Sequence, residues 1–436
     1  REDIRNLSSE IVIIARDLTP SQLASVDKSK VVGFATDAGG KTSHTAIVAR
    51  TMGIPAVVGL GTITQEISGG DMVVIDGTAG RVIVNPDPAT LERYRTKEAQ
   101  FRSYEKKLGT ATRSLPAETL DGHEIKLLCN IELPTDVDVA LANGADGVGL
   151  YRTEFIYATE SNPSEDAHVA AYKQALSRLG GKPIVIRTLD FGADKVFGEQ
   201  EGAHEKNPFL GCRSIRLCFE QPELFKTQLR AILRVSHGAN VRIMFPMITS
   251  RSELRRAKSM LEEVKSDLAA ESIPFNSAIE VGIMIEVPSA ALVADQLAEE
   301  VDFFSIGTND LIQYCLAVDR VNERVAYLYQ PAHPAIVRLI KRILEAGERR
   351  GIKVSMCGEM SGDENFTILL VGLGLREFSL NPSVIPKVKQ IIRGTTMIEA
   401  REVARQVLAM EDPDEATRFM AEVTRKVLPP DMMSPV

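Results

Sequence analysis

The chain has 436 residues, of which 44% are hydrophobic and 25% charged, with 31 Gly, 21 Pro and no Trp. This composition excludes disordered and fibrous proteins and is typical of a folded chain with two or three domains. The 51 Lys and Arg against 59 Asp and Glu give a net charge of -8, which argues against a protein that coats nucleic acid or binds an anionic membrane.

Cysteine spacing and hydropathy bear on the cellular compartment. No two of the five cysteines form a CxxC pair, so we expect neither a disulfide framework nor a structural zinc site. No apolar run approaches the roughly 18 residues of a membrane span, and no signal-peptide core follows the charged opening Arg1-Glu2-Asp3. We therefore expect a soluble cytoplasmic protein and, because the chain starts at Arg1 rather than Met, a fragment of a longer one.

The first 86 residues read as a small α/β domain. Short β-rich runs alternate with turns, and one helical segment follows Ser43. The runs lie at 10–15, 31–35, 55–59, 72–76 and 81–84. Asp87-Pro88 ends this pattern, which sets a first domain at residues 1–88.

A charged segment with apolar residues at helical spacing follows, from Thr90 to about Arg113. It predicts a linker helix within residues 89–117. The helix either packs on one domain or acts as a pivot between two. In the second case it is the lever of a hinge.

From residue 118 to 436 strands and helices alternate strictly. The predicted strands are 126–131, 147–153, 183–190, 242–248, 280–287, 303–309, 353–359 and 377–381. The helical patterns between them include 165–179, 222–236, 251–271, 289–300, 334–350 and 384–393. Eight strands predict a (β/α)8 TIM-type barrel, with a doubly wound open sheet as the alternative. The absence of a nucleotide-binding fingerprint after the first strand favours the barrel.

Reactive side chains lie at the carboxyl ends of five of the predicted strands, where barrel enzymes carry their active sites. They are Arg152, Arg187, Glu286, Asn309-Asp310 and Cys357. Two more arginines, Arg213 and Arg320, lie in neighbouring loops. Guanidinium groups match phosphate and carboxylate oxygens in pairs, so four of them suit a small polyanion that carries both groups. The alternative is an arginine–carboxylate network that only closes the barrel rim.

Glu286 and Asp310 are hard oxygen ligands on adjacent strands, which suits Mg²⁺ bound together with substrate oxygens. The predicted ligand is therefore a metal-bound phosphorylated acid. Cys357 ends the seventh strand, where a thiol near its solution pKa could donate a proton to an enolate. The other four cysteines, at 129, 212, 218 and 315, are expected to be small buried hydrophobes.

A second reactive centre lies in the small domain. In the run DAGGKTSHTAI, Gly39-Gly40 predicts a turn, Thr42 and Ser43 are good N-cap residues, and His44 falls in the first turn of a helix. Free N–H groups and the positive end of the helix dipole stabilise a phosphate there, so His44 could carry a phosphoryl group. The remaining histidines lie in no comparable setting and are interpreted as structural.

The run GGKTSHTAIVAR closely resembles the phosphohistidine motif of phosphoenolpyruvate-utilising enzymes. The runs GVGLYRTEF, NPFLGCRSIR, FFSIGTNDLIQYCLAVDR and SMCGEMSGDE resemble Enzyme I of the bacterial sugar phosphotransferase system. The resemblance covers about residues 10 to 410. It implies transfer of a phosphoryl group from phosphoenolpyruvate (PEP) to the enzyme's own histidine and then to the phosphocarrier HPr, with release of pyruvate.

The resemblance also implies roles for individual residues. His44 would be the phosphorylated nucleophile and Cys357 the proton donor. Arg152, Arg187, Arg213, Asn309, Asp310 and Arg320 would bind PEP, while Glu286 and Asp310 would hold Mg²⁺. A homodimer through the barrel is implied as well.

The sequence departs from the family in three respects, one of which is Ala332-His333 after Gln330-Pro331, in a loop that often differs. The HPr-docking helical subdomain does not appear ahead of Arg1, which puts acceptor docking in doubt, and Cys212 replaces an aromatic residue common beside Arg213. Two alternatives stay open: the carboxyl-terminal part of a pyruvate phosphate dikinase or PEP synthase, or a non-catalytic phospho-relay module. The sugar and nitrogen branches of the phosphotransferase system are not separated by these motifs.

Overall fold

The structure is a computed structural model that describes residues 10–18, 30–39, 49, 54–158, 162–192, 207–320, 322 and 324–428. The chain forms two compact units. The first comprises Arg1–Ala111, Leu316–Gln330 and Thr417–Val436, and the second Thr112–Cys315 and Pro331–Ala416. The domain boundaries predicted at residues 88 and 117 stay a prediction. None of the described helices is long and apolar enough to cross a bilayer.

The first unit contains two small sheets. Strands β1 (Ile11–Ala15), β2 (Val31–Thr36) and β3 (Ala56–Val57) form a parallel sheet in that order. Strands β4 (Val73–Asp76) and β5 (Arg81–Val84) form an antiparallel pair. All five predicted strands are present. The predicted helix after Ser43 lies outside the described residues except for Ala49, which is helical.

The helix predicted within residues 89–117 is present as Pro88–Thr112, and its role as a linker stays a prediction. Asp87 caps its start, because its Oδ1 accepts the Thr90 N–H at 2.6 Å. Pro88 at the first helical position has no N–H that would need a partner. Within the first unit, Lys97 Nζ lies 2.8 Å from Asp76 Oδ2.

The second unit contains the predicted barrel. Strand β6 (Ala117–Glu118) pairs antiparallel with the first of eight parallel strands, which neighbour one another in chain order. These are β7 (Glu124–Ile131), β8 (Val148–Tyr151), β9 (Ile184–Arg187), β10 (Val241–Phe245), β11 (Glu280–Ile285), β12 (Phe303–Ile306), β13 (Lys353–Met356) and β14 (Glu377–Leu380). Strand β14 also pairs in parallel with β7, so the sheet closes. The (β/α)8 barrel is therefore confirmed and the open sheet is excluded.

Burial explains why these runs form a closed parallel sheet. Every residue of β8, β9 and β12 is buried, as expected for strands covered by side chains inside and by helices outside. The strands predicted at 183–190 and 353–359 are shorter in the structure, where they end at Arg187 and Met356. The polar residues that follow therefore lie in loops at the carboxyl ends of the strands.

The predicted helices 165–179, 222–236 and 334–350 match the structure residue for residue. The predicted helix at 289–300 is instead two short helices. The helices after the linker are Asp136–Ala142, Glu165–Leu179, Ile215–Glu220, Pro222–Ser236, Arg251–Ala270, Pro288–Leu292, Ala294–Leu297, Thr308–Leu316, Pro334–Arg350, Thr367–Leu373, Ile385–Arg393, Met397–Ala409 and Pro413–Thr424. Ile63–Glu66 precedes the linker. Short 3-10 turns lie at Glu154–Ala158, Pro208–Leu210, Ala326–Leu328, Glu359–Gly362, Glu364–Phe366 and Pro382–Val384.

Candidate active site

Four of the predicted site residues come from four different barrel strands. Arg187 is the last residue of β9, while Arg152, Glu286 and Cys357 directly follow β8, β11 and β13. The carboxyl ends of parallel strands in a closed barrel meet on one face of the molecule. The topology therefore brings these side chains to the same rim.

A buried triad of charges lies at this rim. Asp190 Oδ2 lies 2.6 Å from Arg187 Nη1, and Asp190 Oδ1 lies 2.9 Å from Arg213 Nη2. The side chains are 9%, 6% and 12% exposed for Arg187, Asp190 and Arg213. Arg187 also pairs with Glu154 Oε1 at 3.1 Å. One carboxylate thus holds two guanidinium groups side by side.

The protonation states of the triad follow from its charges. Burial by itself raises the pKa of Asp190, but the positive charges of Arg187 and Arg213 outweigh it and lower that pKa below the usual range. Burial opposes the charge on both arginines too, and Asp190 more than offsets it, so their pKa values are raised. All three groups are charged at neutral pH.

Arg213 extends the triad towards the helix Thr308–Leu316. Its Nη1 lies 3.4 Å from Asp310 Oδ2 and donates to the Tyr314 hydroxyl at 3.5 Å. Its guanidinium carbon lies 5.7 Å from the centre of the Phe209 ring, within cation–π range. Arg213 and Asp310, both predicted site residues, are therefore brought together.

Glu286 is a buried carboxyl group whose surroundings disfavour its negatively charged form. It is 2% exposed, and its Oε1 accepts the Met247 N–H at 2.6 Å. Its pKa is raised well above the usual range, first by burial and then by the negative charges of Asp190 and Asp310. Carboxylates that repel each other in a buried site suit a divalent cation placed among them.

Glu286 and Asp310 thus fit the predicted metal site. Within the described part of the chain, no group of three or more His, Cys, Asp or Glu could hold a metal ion. Glu286 and Asp310 would supply two carboxylates, and substrate or water oxygens would complete the coordination, as is usual for Mg²⁺.

Cys357 lies beside strand β12. The thiol is 2% exposed, and its Sγ lies 3.8 Å from the carbonyl oxygen of Ile306. Burial is the main cause of the raised pKa of Cys357, while the positive charges of Arg187 and Arg152 lower that pKa and the negative charge of Glu286 raises it. The group is therefore a neutral thiol at pH 7, the form that carries a proton.

Asn309 and Arg152 complete the described rim. Asn309 Oδ1 accepts the Glu359 N–H at 2.8 Å, so it connects the helix after β12 with the loop after β13. Arg152 Nη1 lies 2.9 Å from Glu132 Oε1 and is about one third exposed. Arg152 is thus the more accessible of these arginines.

Two predicted site residues are not placed at this rim. His44 lies outside the described residues. Arg320 follows the helix Thr308–Leu316 in the segment Leu316–Gln330, which belongs to the first unit. The roles expected for both stay predictions.

The cysteine expectation is partly wrong. Cys129 and Cys218 are buried as expected, but Cys212 and Cys315 are only half-buried. The Cys212 thiol donates to Glu220 Oε2 at 2.8 Å, so it is a polar surface group rather than a small hydrophobe. Its position beside Arg213 at the end of a short loop leaves it partly open to solvent.

Sequence reasoning also missed Asp190 and Glu154, the two carboxylates that pair with Arg187. Asp190 falls within the predicted strand 183–190, and the sequence does not indicate which residue it pairs with. The available signal was an acidic residue three positions after Arg187, at the point where the strand ends. Charged side chains are almost never fully buried unless they are paired.

Comparison with known proteins identifies the family of the chain. Residues 106–397 match the family described as PEP-utilising enzyme, PEP-binding domain, and residues 7–80 match the PEP-utilising enzyme, mobile domain. A phosphoenolpyruvate-protein phosphotransferase of Geobacillus stearothermophilus is 49% identical over 415 residues, which covers 95% of this chain and 72% of the relative. The proteins of that name from Priestia megaterium and Bacillus subtilis are 47% and 46% identical, over 95% of this chain and 72% and 73% of the relatives.

These matches cover both reactive centres that the sequence predicted, and the larger one covers the barrel rim described above. By family and by identity along almost its whole length, the chain belongs to the PEP-utilising enzymes and, among them, to the phosphoenolpyruvate-protein phosphotransferases.

Proposed function

We propose that the barrel rim binds PEP, that its phosphoryl group passes to His44 and then to an HPr-type phosphocarrier, and that pyruvate is released. The observation that carries the proposal is the buried triad Arg187–Asp190–Arg213, set beside the carboxyl groups of Glu286 and Asp310. It combines fixed positive charge for a polyanion with a pair of oxygen ligands for a cation.

The arginines are the proposed ligands for the phosphate and carboxylate of PEP. Each guanidinium has five N–H donors, and the triad uses only some of them. Arg187 Nε is buried without a hydrogen-bond partner. An unpaired buried donor is costly, and an anion that accepts from it removes that cost. Arg152, Arg320, Asn309 and Asp310 are the further proposed contacts.

Glu286 and Asp310 would hold the Mg²⁺ ion. When bound, the ion offsets negative charge on the phosphate oxygens and on the carboxyl groups around it. The raised pKa of Glu286 supports this assignment, because a cation among these carboxylates would favour its ionised form.

The proposed chemistry is an in-line phosphoryl transfer. A neutral His44 nitrogen forms a bond to phosphorus while the bond from phosphorus to the enol oxygen breaks, and the electron pair leaves with the enolate. The arginines stabilise charge on the equatorial oxygens and on the leaving oxygen. The Cys357 thiol then donates its proton to the enolate carbon, which gives pyruvate, and water restores the thiol.

We also propose a cytoplasmic homodimer that is formed through the barrel. The family assignment supports this state by analogy. Sedimentation of the purified chain would test it, and a monomer at micromolar concentration would contradict it.

Labelling with radioactive PEP tests the assignment of His44. In the presence of Mg²⁺ the wild-type chain should take up an acid-labile phosphoryl group, and His44→Ala should take up none. His237→Ala is the matched control, because His237 is exposed and lies outside the proposed site. An acid-labile label that persists in His44→Ala would refute the assignment.

A further inference from the structure

One buried amide lies directly behind the arginine cluster. Gln228, in the helix Pro222–Ser236, has no exposed surface. Its Oε1 accepts the Leu189 N–H at 2.9 Å, and its Nε2 donates to the Thr153 hydroxyl at 3.0 Å and to the Tyr172 hydroxyl at 3.2 Å. The amide therefore uses both of its donor hydrogens and its acceptor oxygen.

Two of these partners adjoin the proposed PEP ligands. Leu189 lies between Arg187 and Asp190, and Thr153 directly follows Arg152. The Thr153 hydroxyl also donates to the carbonyl oxygen of Arg187 at 3.2 Å. A single side chain thus ties together the loops that follow β8 and β9.

The third partner is part of a buried polar pair. Tyr172 OH lies 3.1 Å from His168 Nδ1, and the tautomer of the ring decides which of the two donates. Burial lowers the pKa of His168 to about 4, so the ring is neutral at pH 7. In either tautomer the Tyr172 oxygen keeps a lone pair that accepts from Gln228. The Leu189 N–H determines which end of the amide faces the loop, since a reversed amide would place two donors together.

We propose that Gln228 is a positioning residue for PEP binding. It holds the main chain of the Arg187–Asp190 segment and the Arg152–Thr153 turn at a fixed separation, so that the guanidinium groups of both loops meet one substrate. The inference rests on the proposed function of the arginines. Gln228 itself touches no substrate.

The effect of removing the amide is expected in substrate affinity. Gln228→Met keeps the length and approximate volume of the side chain but leaves the Leu189 N–H unpaired in the interior. The two loops can then shift, and misplacement of binding groups by about 1 Å costs up to about 100-fold in rate. We expect the PEP concentration that gives half-maximal labelling of His44 to rise about 10-fold or more, with a smaller change in the maximum rate.

The experiment measures the single-turnover rate of labelling by radioactive PEP with Mg²⁺, across PEP concentrations, in the full chain. Leu233→Ala is the control for general destabilisation, because Leu233 is equally buried in the same helix and its side chain is apolar. Its carbonyl oxygen, which accepts from the Ser236 hydroxyl at 2.6 Å, is retained in the variant. It should lower thermal stability and leave the half-saturating PEP concentration unchanged. An equal rise in the half-saturating PEP concentration in Leu233→Ala and in Gln228→Met would overturn the proposal.

A second pair of variants keeps the test decisive if Gln228→Met does not fold. Thr153→Val removes the hydroxyl between Gln228 and Arg187, while Thr153→Ser retains it. We expect the half-saturating PEP concentration to rise in the valine variant and to return towards wild type in the serine variant. Equal wild-type values in both would overturn the proposal.

Arg187→Lys separates failure of this inference from failure of the proposed function. If Arg187→Lys weakens PEP binding while Gln228→Met and Thr153→Val do not, the positioning role is wrong and the PEP site stands. If Arg187→Lys leaves PEP binding unchanged, the proposed site is wrong, and the positioning role is refuted with it.

Discussion

Replacing Asp190 by Asn removes the negative charge between two buried guanidinium groups. Asp190 pairs with Arg187 at 2.6 Å and with Arg213 at 2.9 Å, and its side chain is 6% exposed. The asparagine is almost isosteric, so packing is preserved. Both oxygens of Asp190 accept from guanidinium groups, so the amide NH2 that replaces one of them faces a donor, and the change removes the charge and one hydrogen bond together.

The expected loss of stability follows from the burial of the triad. Removing one partner of a buried ion pair costs about 3–5 kcal/mol, because an uncompensated charge remains. Arg187 keeps Glu154 at 3.1 Å and Arg213 keeps Asp310 at 3.4 Å, so we expect the lower end, about 3 kcal/mol. For a unit of this size such a loss lowers Tm by about 5–10 °C.

The difference in unfolding free energy between wild type and Asp190→Asn should shrink as the pH falls and should never grow. The pKa of Asp190 is lowered in the folded protein, because the charges of Arg187 and Arg213 outweigh the effect of burial. Its contribution is therefore fully present above the unfolded carboxyl pKa of about 3.9 and is lost as the pH falls from there through the lower folded value. The two proteins should differ by a constant amount between about pH 5 and 7 and converge below about pH 4.

Scanning calorimetry and far-UV circular dichroism suit this measurement, because the chain has no Trp to report unfolding by fluorescence. Asp166→Asn is the control: Asp166 lies 2.9 Å from Arg234, but its side chain is 86% exposed. Such a surface pair contributes about 0–1 kcal/mol. The reasoning would be refuted if Asp190→Asn were as stable as Asp166→Asn at pH 7, or if its deficit grew as the pH fell.

Three further predictions concern the rim. Cys357→Ala should keep the labelling of His44 by PEP but slow pyruvate formation, whereas Cys129→Ala, at another buried thiol, should not; an equal pyruvate rate in both would remove Cys357 from the reaction. Mg²⁺ should raise the Tm of the wild type but not that of Glu286→Gln. An equal rise in Tm in both proteins would show that Glu286 does not bind the ion. Gly358→Ala should lower stability by about 1–3 kcal/mol and slow labelling. The new Cβ would clash with the Thr308 hydroxyl and lie 2.6 Å from Thr308 N, at the start of the helix that carries Asn309 and Asp310. Gly69→Ala is its control, with no atom within 4 Å of the new Cβ, and equal effects of the two changes would contradict the argument.

The architecture of the second unit can be predicted from local sequence patterns alone. Eight short apolar runs separated by amphipathic helices have few other ways to bury both faces of a sheet, so their number and order predicted the closed barrel. The same logic located Arg187, Glu286 and Cys357 at strand ends, because the end of an apolar run is visible in the sequence. Capping residues and periodicity likewise set the helix Pro88–Thr112 to within two residues.

The pairing of the site's side chains, in contrast, depends on contacts between residues far apart in the chain. Asp190 lies three residues from Arg187 but 23 from Arg213, and Gln228 reaches Thr153 across 75 positions of the chain. Such contacts depend on how two loops and a helix converge after the barrel has closed, and no local pattern encodes that convergence. Burial also depends on neighbours that are distant in the chain, so local sequence does not show whether Asp190 and Gln228 are solvated or enclosed. Their enclosure strengthens the ion pairs of Asp190 and the hydrogen bonds of Gln228.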